Sequence, residues 1–103
     1  MKLILSLAFC LFSISLFAQE PRIVAQKDKH FSTQHLVIHK GDQVSFPNHD
    51  DIYHNVYSLS KVKTFDLGTY PKGETKLITF DKVGLVKVQC AIHSQMQMII
   101  EVR

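Results

Sequence analysis

At 103 residues, 46% apolar and 20% charged, the chain has the length and composition of one small globular domain. Its net charge of +3 is carried by lysines that stand singly or nearly so, which excludes the clustered basic footprint of a nucleic-acid binder. The two cysteines are Cys10 and Cys90; the first lies in an apolar leader, so the mature chain has no partner with which to form an internal disulfide.

The leader comes first. Lys2 precedes an apolar run from Leu3 to Phe17, and Ala18 precedes the polar Gln19-Glu20-Pro21. A positive start, an apolar stretch and a small residue at the boundary describe a secretory signal peptide over 1–18. The run is shorter than the roughly 20 residues of a membrane span; an uncleaved anchor is the alternative. Phe9 before Cys10 is too large for the residue that precedes a lipidated cysteine. Residues 19–103 form the expected mature domain, an exported monomer of the periplasm or extracellular space with no membrane span of its own.

From residue 19 onward the apolar pattern alternates rather than following a helical period. Ile23 and Val24 begin a first strand, and Gln26 to Gln34 is polar. Leu36 and Ile38 share one face of a second strand, which Lys40-Gly41-Asp42 turns into a third carrying Val44 and Phe46. Pro47-Asn48 ends it. Residues 52–59 read as extended, with Val56 inward. Lys61 to Thr75 reads as a long loop with a short strand near Thr64 to Leu67. Lys76 to Phe80 is a strand, and Asp81 to Gly84 a turn. Leu85 to Cys90 places Val86, Val88 and Cys90 on one face, and Met98, Ile100 and Val102 share a face of the last strand. About seven short strands separated by turns predict an all-β, antiparallel Greek-key sandwich.

The chemistry gathers near the C-terminus, in "QCAIHSQMQM" from Gln89 to Met98. Strand parity turns the Cys90 thiol inward. A lone thiol in an oxidising compartment is a liability unless something occupies it; the bland reading is an inert buried cysteine. Three residues on, with two intervening, is His93, and three further is Met96. Thiolate, imidazole and thioether form a soft donor set that favours copper, and a trigonal copper site needs a second imidazole. His30, His35, His39, His49 and His54 are the candidates. His54 is preferred because it stands where a polar loop gives way to renewed alternation, at the sandwich end where Cys90 must also lie. His49, five residues away, is the rival.

"SFPNHDDIYHNVYS" followed by "VGLVKVQCAIHSQM" resembles the plastocyanin-type cupredoxins, and more closely their short bacterial, methylamine-utilisation-like members. The resemblance runs from about Val37 to Arg103. It implies a cupredoxin-like sandwich holding one copper ion, Cu(I) or Cu(II), in a mononuclear type 1 site. His54 matches the first imidazole ligand, Cys90 the thiolate and His93 the second imidazole. Asn55 matches the residue whose backbone amide bonds the sulfur in the family. The family uses two spacings for the axial methionine: four intervening residues select Met98, two select Met96. Seven residues follow Met96, enough for a closing strand, and only five follow Met98, which runs in phase with Ile100 and Val102 as a core residue of that strand would; this favours Met96 and leaves Met98 as the alternative.

The resulting expectation is single-electron transfer between redox partner proteins, with His54 the more buried imidazole and His93 the exposed electron port beside Ile92 and Met98. Four protein ligands leave no open position for a substrate, so no enzyme is expected. Two other classes use the same residues differently. A copper carrier or buffer would deliver the ion, although a buried thiolate speaks against delivery. A metal-free sandwich would make Cys90 core and both histidines surface, and zinc accepts the same donors.

Overall fold

A computed structural model describes residues 19–103. The expected leader and Cys10 lie outside the described residues. The strands are β1 (Arg22–Ile23), β2 (Gln26–Lys27), β3 (His30–Phe31), β4 (His35–Ile38), β5 (Gln43–Pro47), β6 (His54–Ser58), β7 (Phe65–Tyr70), β8 (Thr75–Thr79), β9 (Gly84–Cys90) and β10 (Gln97–Val102). One sheet runs β4-β10-β9-β6-β7, a second runs β1-β5-β8, and β2 and β3 form a separate hairpin. No helix occurs among the described residues.

Alternation builds both sheets. In β9, Val86, Val88 and Cys90 are buried; in β10, Met98, Ile100 and Val102. Leu36 and Ile38 of β4 and Val56 of β6 complete the same inner face, and Val44 and Phe46 of β5 meet it from the other sheet. These are the two dry faces of a sandwich, with charged residues on the wet ones. Most pairs are antiparallel, but β1–β5 and β10–β4 are parallel. Those parallel pairs arise where the N-terminal strands join each sheet by crossing between them, as Greek-key links require.

Two segments differ from their sequence reading. The polar stretch after Gln26 contains the β2–β3 hairpin, with Gln26 and Phe31 buried. Its turn is made by Asp28 and Lys29 at φ 51° and 60°, where glycine or asparagine would be the usual signal. The stretch 61–75, read as a loop with a short strand near Thr64 to Leu67, holds β7, a six-residue strand that runs on to Tyr70 and pairs with β6. The β6–β7 register shifts between Asn55 and Tyr57, and Gly68 takes φ 72° in the facing strand. That irregularity disguises the second half of β7 in the sequence. Among the described residues no helix is long and apolar enough to cross a membrane.

Candidate metal centre

Every part of the candidate centre is placed by the end of a strand. His54 opens β6, on the same face as Val56, and is fully buried. Cys90 closes β9 and pairs with Val56. On its other side the β9–β10 ladder pairs Gln89 with Gln97. One more step brings Met96 opposite Cys90, and the Cys90 amide donates to the Met96 carbonyl at 3.2 Å. The Met96 amide donates in turn to the His93 carbonyl at 3.0 Å, and the Ala91 amide to the Asn55 carbonyl at 2.9 Å. The loop 91–96 is thus tied back to both β6 and β9. Asn55 meets the cysteine strand through its carbonyl.

The side chains converge accordingly. His54 Nδ1 lies 3.6 Å from Cys90 Sγ. The His54 and His93 rings meet edge to face, with centroids 5.2 Å apart. Met96 is 1% exposed. Met98 is also buried but pairs with Val88, about 7 Å deeper along the strand than the Cys90–Met96 level. His30, His35, His39 and His49 are all exposed. Among the described residues no three His, Cys, Asp or Glu side chains stand at metal-holding separations; His54 and Cys90 are in contact, and His93 reaches them through the His54 ring.

The unused valences fit a soft metal. His93 Nε2 is buried with no protein partner, an orphaned donor atom beside a thiol and a second imidazole. Burial pushes the His93 imidazole below its ordinary pKa, and the nearby Lys29 charge pushes the same way, with Asp50 opposing. That favours the neutral ring a metal requires. Thiol, two imidazoles and a buried thioether make the donor set of a copper site rather than a calcium or magnesium one.

Asp50, to which the sequence assigns no role, completes the surroundings. Its Oδ2 stands 2.7 Å from His54 Nε2. The Asp28 amide donates to its Oδ1 at 2.6 Å and the Lys29 amide to its Oδ2 at 3.0 Å. Burial pushes this carboxyl up, but the Lys29 amide, His54 and the Asp28 amide together outweigh it and hold the group below the usual carboxylate range. Because the ionised carboxylate can only accept, His54 carries its proton on Nε2 and turns the Nδ1 lone pair toward the sulfur. An i,i+4 spacing of Asp and His was the available signal, but it reads as unremarkable without the fold. Tyr70 pairs with His54 across β6 and β7. Its hydroxyl donates to the Phe46 carbonyl at 2.8 Å and accepts from Gln26 Nε2 at 2.8 Å.

A family model for copper-binding proteins of the plastocyanin/azurin family matches residues 22–103. The chain belongs to that family. The methylamine utilization protein MauL of Methylorubrum extorquens is 36% identical over 100 residues, covering 93% of this chain and 86% of its own. Among solved structures, the reduced Cu(I) form of a proline variant of amicyanin superposes with a TM-score of 0.75 at 22% identity, covering 84% of this chain and 85% of that one. The fold therefore matches the expected cupredoxin sandwich. A copper-containing nitrite reductase from Thermus scotoductus superposes with a TM-score of 0.76 at 28% identity. It covers 82% of this chain, which spans only 22% of the reductase.

Proposed function

We propose that His54, Cys90 and His93 would hold one copper ion in this copper-binding electron carrier, with the Met96 thioether as the weak fourth donor of a type 1 set. The observation that carries the reading is the contact of His54 Nδ1 with Cys90 Sγ at 3.6 Å, between two buried side chains. Bound copper supplies a one-electron Cu(I)/Cu(II) couple. The chain supplies what the couple needs: a thiolate, two imidazoles and a weak thioether satisfy both oxidation states moderately well. The loop 91–96, pinned by its backbone bonds to β6 and β9, keeps the donors from rearranging when the charge changes.

The position of each imidazole suits a different task. His54 is fully buried and held by Asp50. His93 sits in the surface loop beside Ile92, which is 50% exposed; Met98, expected beside it, is 2% exposed and forms no part of that surface. Electrons enter and leave at the His93 side, where a redox partner protein docks by apolar contact. With all four positions filled by protein, the site has no place for a substrate and the chain is not an enzyme. The leader pattern of 1–18 supports export to the periplasm or beyond, where the domain works as a monomer.

The test is the visible spectrum of the Cu(II)-loaded chain. An intense blue or green thiolate-to-copper band is expected, and Cys90→Ser should abolish it while the sandwich stays folded. A band that survives Cys90→Ser contradicts the ligand set. A copper-delivery role would instead give metal transfer to an acceptor without redox cycling.

A further inference from the structure

The N-terminal hairpin does something that neither the fold nor the ligand set requires. Asp28 and Lys29 occupy consecutive left-handed positions, at φ 51° and 60°, which non-glycine residues rarely adopt. This turn aims two successive backbone amides at one carboxylate, Asp50, at 2.6 and 3.0 Å. Successive amides of this kind make an anion cradle. The same carboxylate is fixed from its own backbone side, its amide donating to Asn48 Oδ1 at 2.8 Å. Asn48 in turn donates to the carbonyls of Ile52 and Tyr70. The remaining contact of Asp50 is the 2.7 Å bond to His54 Nε2. Asp50 is 6% exposed and His54 not at all, so solvent screens the pair little.

We propose that Asp50, clamped by the Asp28-Lys29 turn, is a positioning residue that sets the redox equilibrium of the centre through His54. The inference rests on the reading of His54 as a copper ligand. A fixed negative charge behind the imidazole favours the more positive oxidation state, so the clamp lowers the reduction potential. The bond also selects the tautomer that presents Nδ1 to the metal. The hairpin is therefore an outer arm of the centre. It keeps the carboxylate dry and bonded to the ring; a loosened turn lets the carboxylate take up water and leave the imidazole.

Asp50→Asn keeps the size of the side chain and an oxygen for the His54 proton but removes the charge. It should raise the ratio of reduced to oxidised protein at fixed applied potential at least tenfold, a shift of about 59 mV for one electron, with the coloured band retained. In the copper-free protein, nitrogen NMR should show the His54 proton on Nε2 in the native chain and a weaker preference for Nε2 in Asp50→Asn. Lys29→Val puts a β-branched residue at a left-handed position and loosens the turn; it also removes a positive charge that reaches His93, which by itself lowers the potential alike in both backgrounds. The shift it causes should therefore be more positive in the native background than in the Asp50→Asn background. An unchanged potential in Asp50→Asn overturns the proposal, as does a Lys29→Val shift that is equal in both backgrounds. Lack of a charge-transfer band in the unaltered protein instead overturns the ligand reading, and this inference with it.

Discussion

Met96 and Met98 share a strand phase, a side-chain type and near-complete burial, yet the ladder gives them different neighbours. Met96 faces Cys90 through a backbone hydrogen bond, whereas Met98 faces Val88. Met96→Leu should therefore raise the reduction potential and keep the colour, as measured by voltammetry of the copper-loaded chain. Met98→Leu should leave the potential unchanged and cost less than about 1.5 kcal/mol, the usual range for a volume-conserving core exchange. The reverse pattern would make Met98 the axial ligand. Tyr70 offers a second test at this scale. Burial pushes its phenol up to about 12, the bond from Gln26 opposing and the Cys90 charge adding. An unfolded tyrosine ionises near 10, so the unfolded chain sheds this proton first as pH rises. The stability this gives is whole below about pH 10 and is lost as pH climbs toward the folded value. Denaturant titrations of the copper-free protein should show that alkaline decline in the native chain and a shallower one in Tyr70→Phe. At neutral pH the same substitution should cost about 1–3 kcal/mol for the bonds lost.

At the scale of the element, Gly84 starts β9 at φ 144°, and a Cβ there would stand 2.6 Å from Val62 Cγ2. Gly84→Ala should destabilise the copper-free protein by about 1–3 kcal/mol through strain and overpacking, and adding Val62→Ala should recover part of it in chemical denaturation. Elements whose alternation is complete were legible in the sequence. The dry faces of β5, β9 and β10 follow directly from Val44-Phe46, Val86-Val88-Cys90 and Met98-Ile100-Val102. The short β2–β3 hairpin was not legible, because its turn uses Asp28 and Lys29 where pattern reading looks for glycine or asparagine. Of β7 only the first half was legible, near Thr64 to Leu67; Gly68 and the register shift opposite it hid the rest. The candidate centre divides in the same way. Cys90, His93 and Met96 are neighbours in sequence and could be read together, and His54 was found from its place at a loop–strand boundary. Asp50 could be noted only as half of the acidic pair Asp50-Asp51, its effect left open, since its bonds run to amides 21 and 22 residues away.

For the molecule as a whole, the physical difficulty is size. A domain of 19–103 buries a modest core, and Cys90 is a free thiol, so no disulfide reinforces the described fold. The candidate donors come from β6, from the end of β9 and from the loop leading into β10, so one ion would join three consecutive parts of the larger sheet. Binding to the folded state alone adds about 2.7 kcal/mol at a hundredfold excess over Kd. Copper should accordingly raise the melting temperature, a chelator should return it to the copper-free value, and Cys90→Ser should lose most of the gain. The central claim is that one sulfur and two imidazoles, distant in the chain, surround a single ion. X-ray absorption at the copper edge of the loaded protein tests it directly. The account predicts two nitrogen neighbours and one short sulfur neighbour, the sulfur lost in Cys90→Ser. A shell of nitrogen and oxygen alone in the unaltered protein would contradict it.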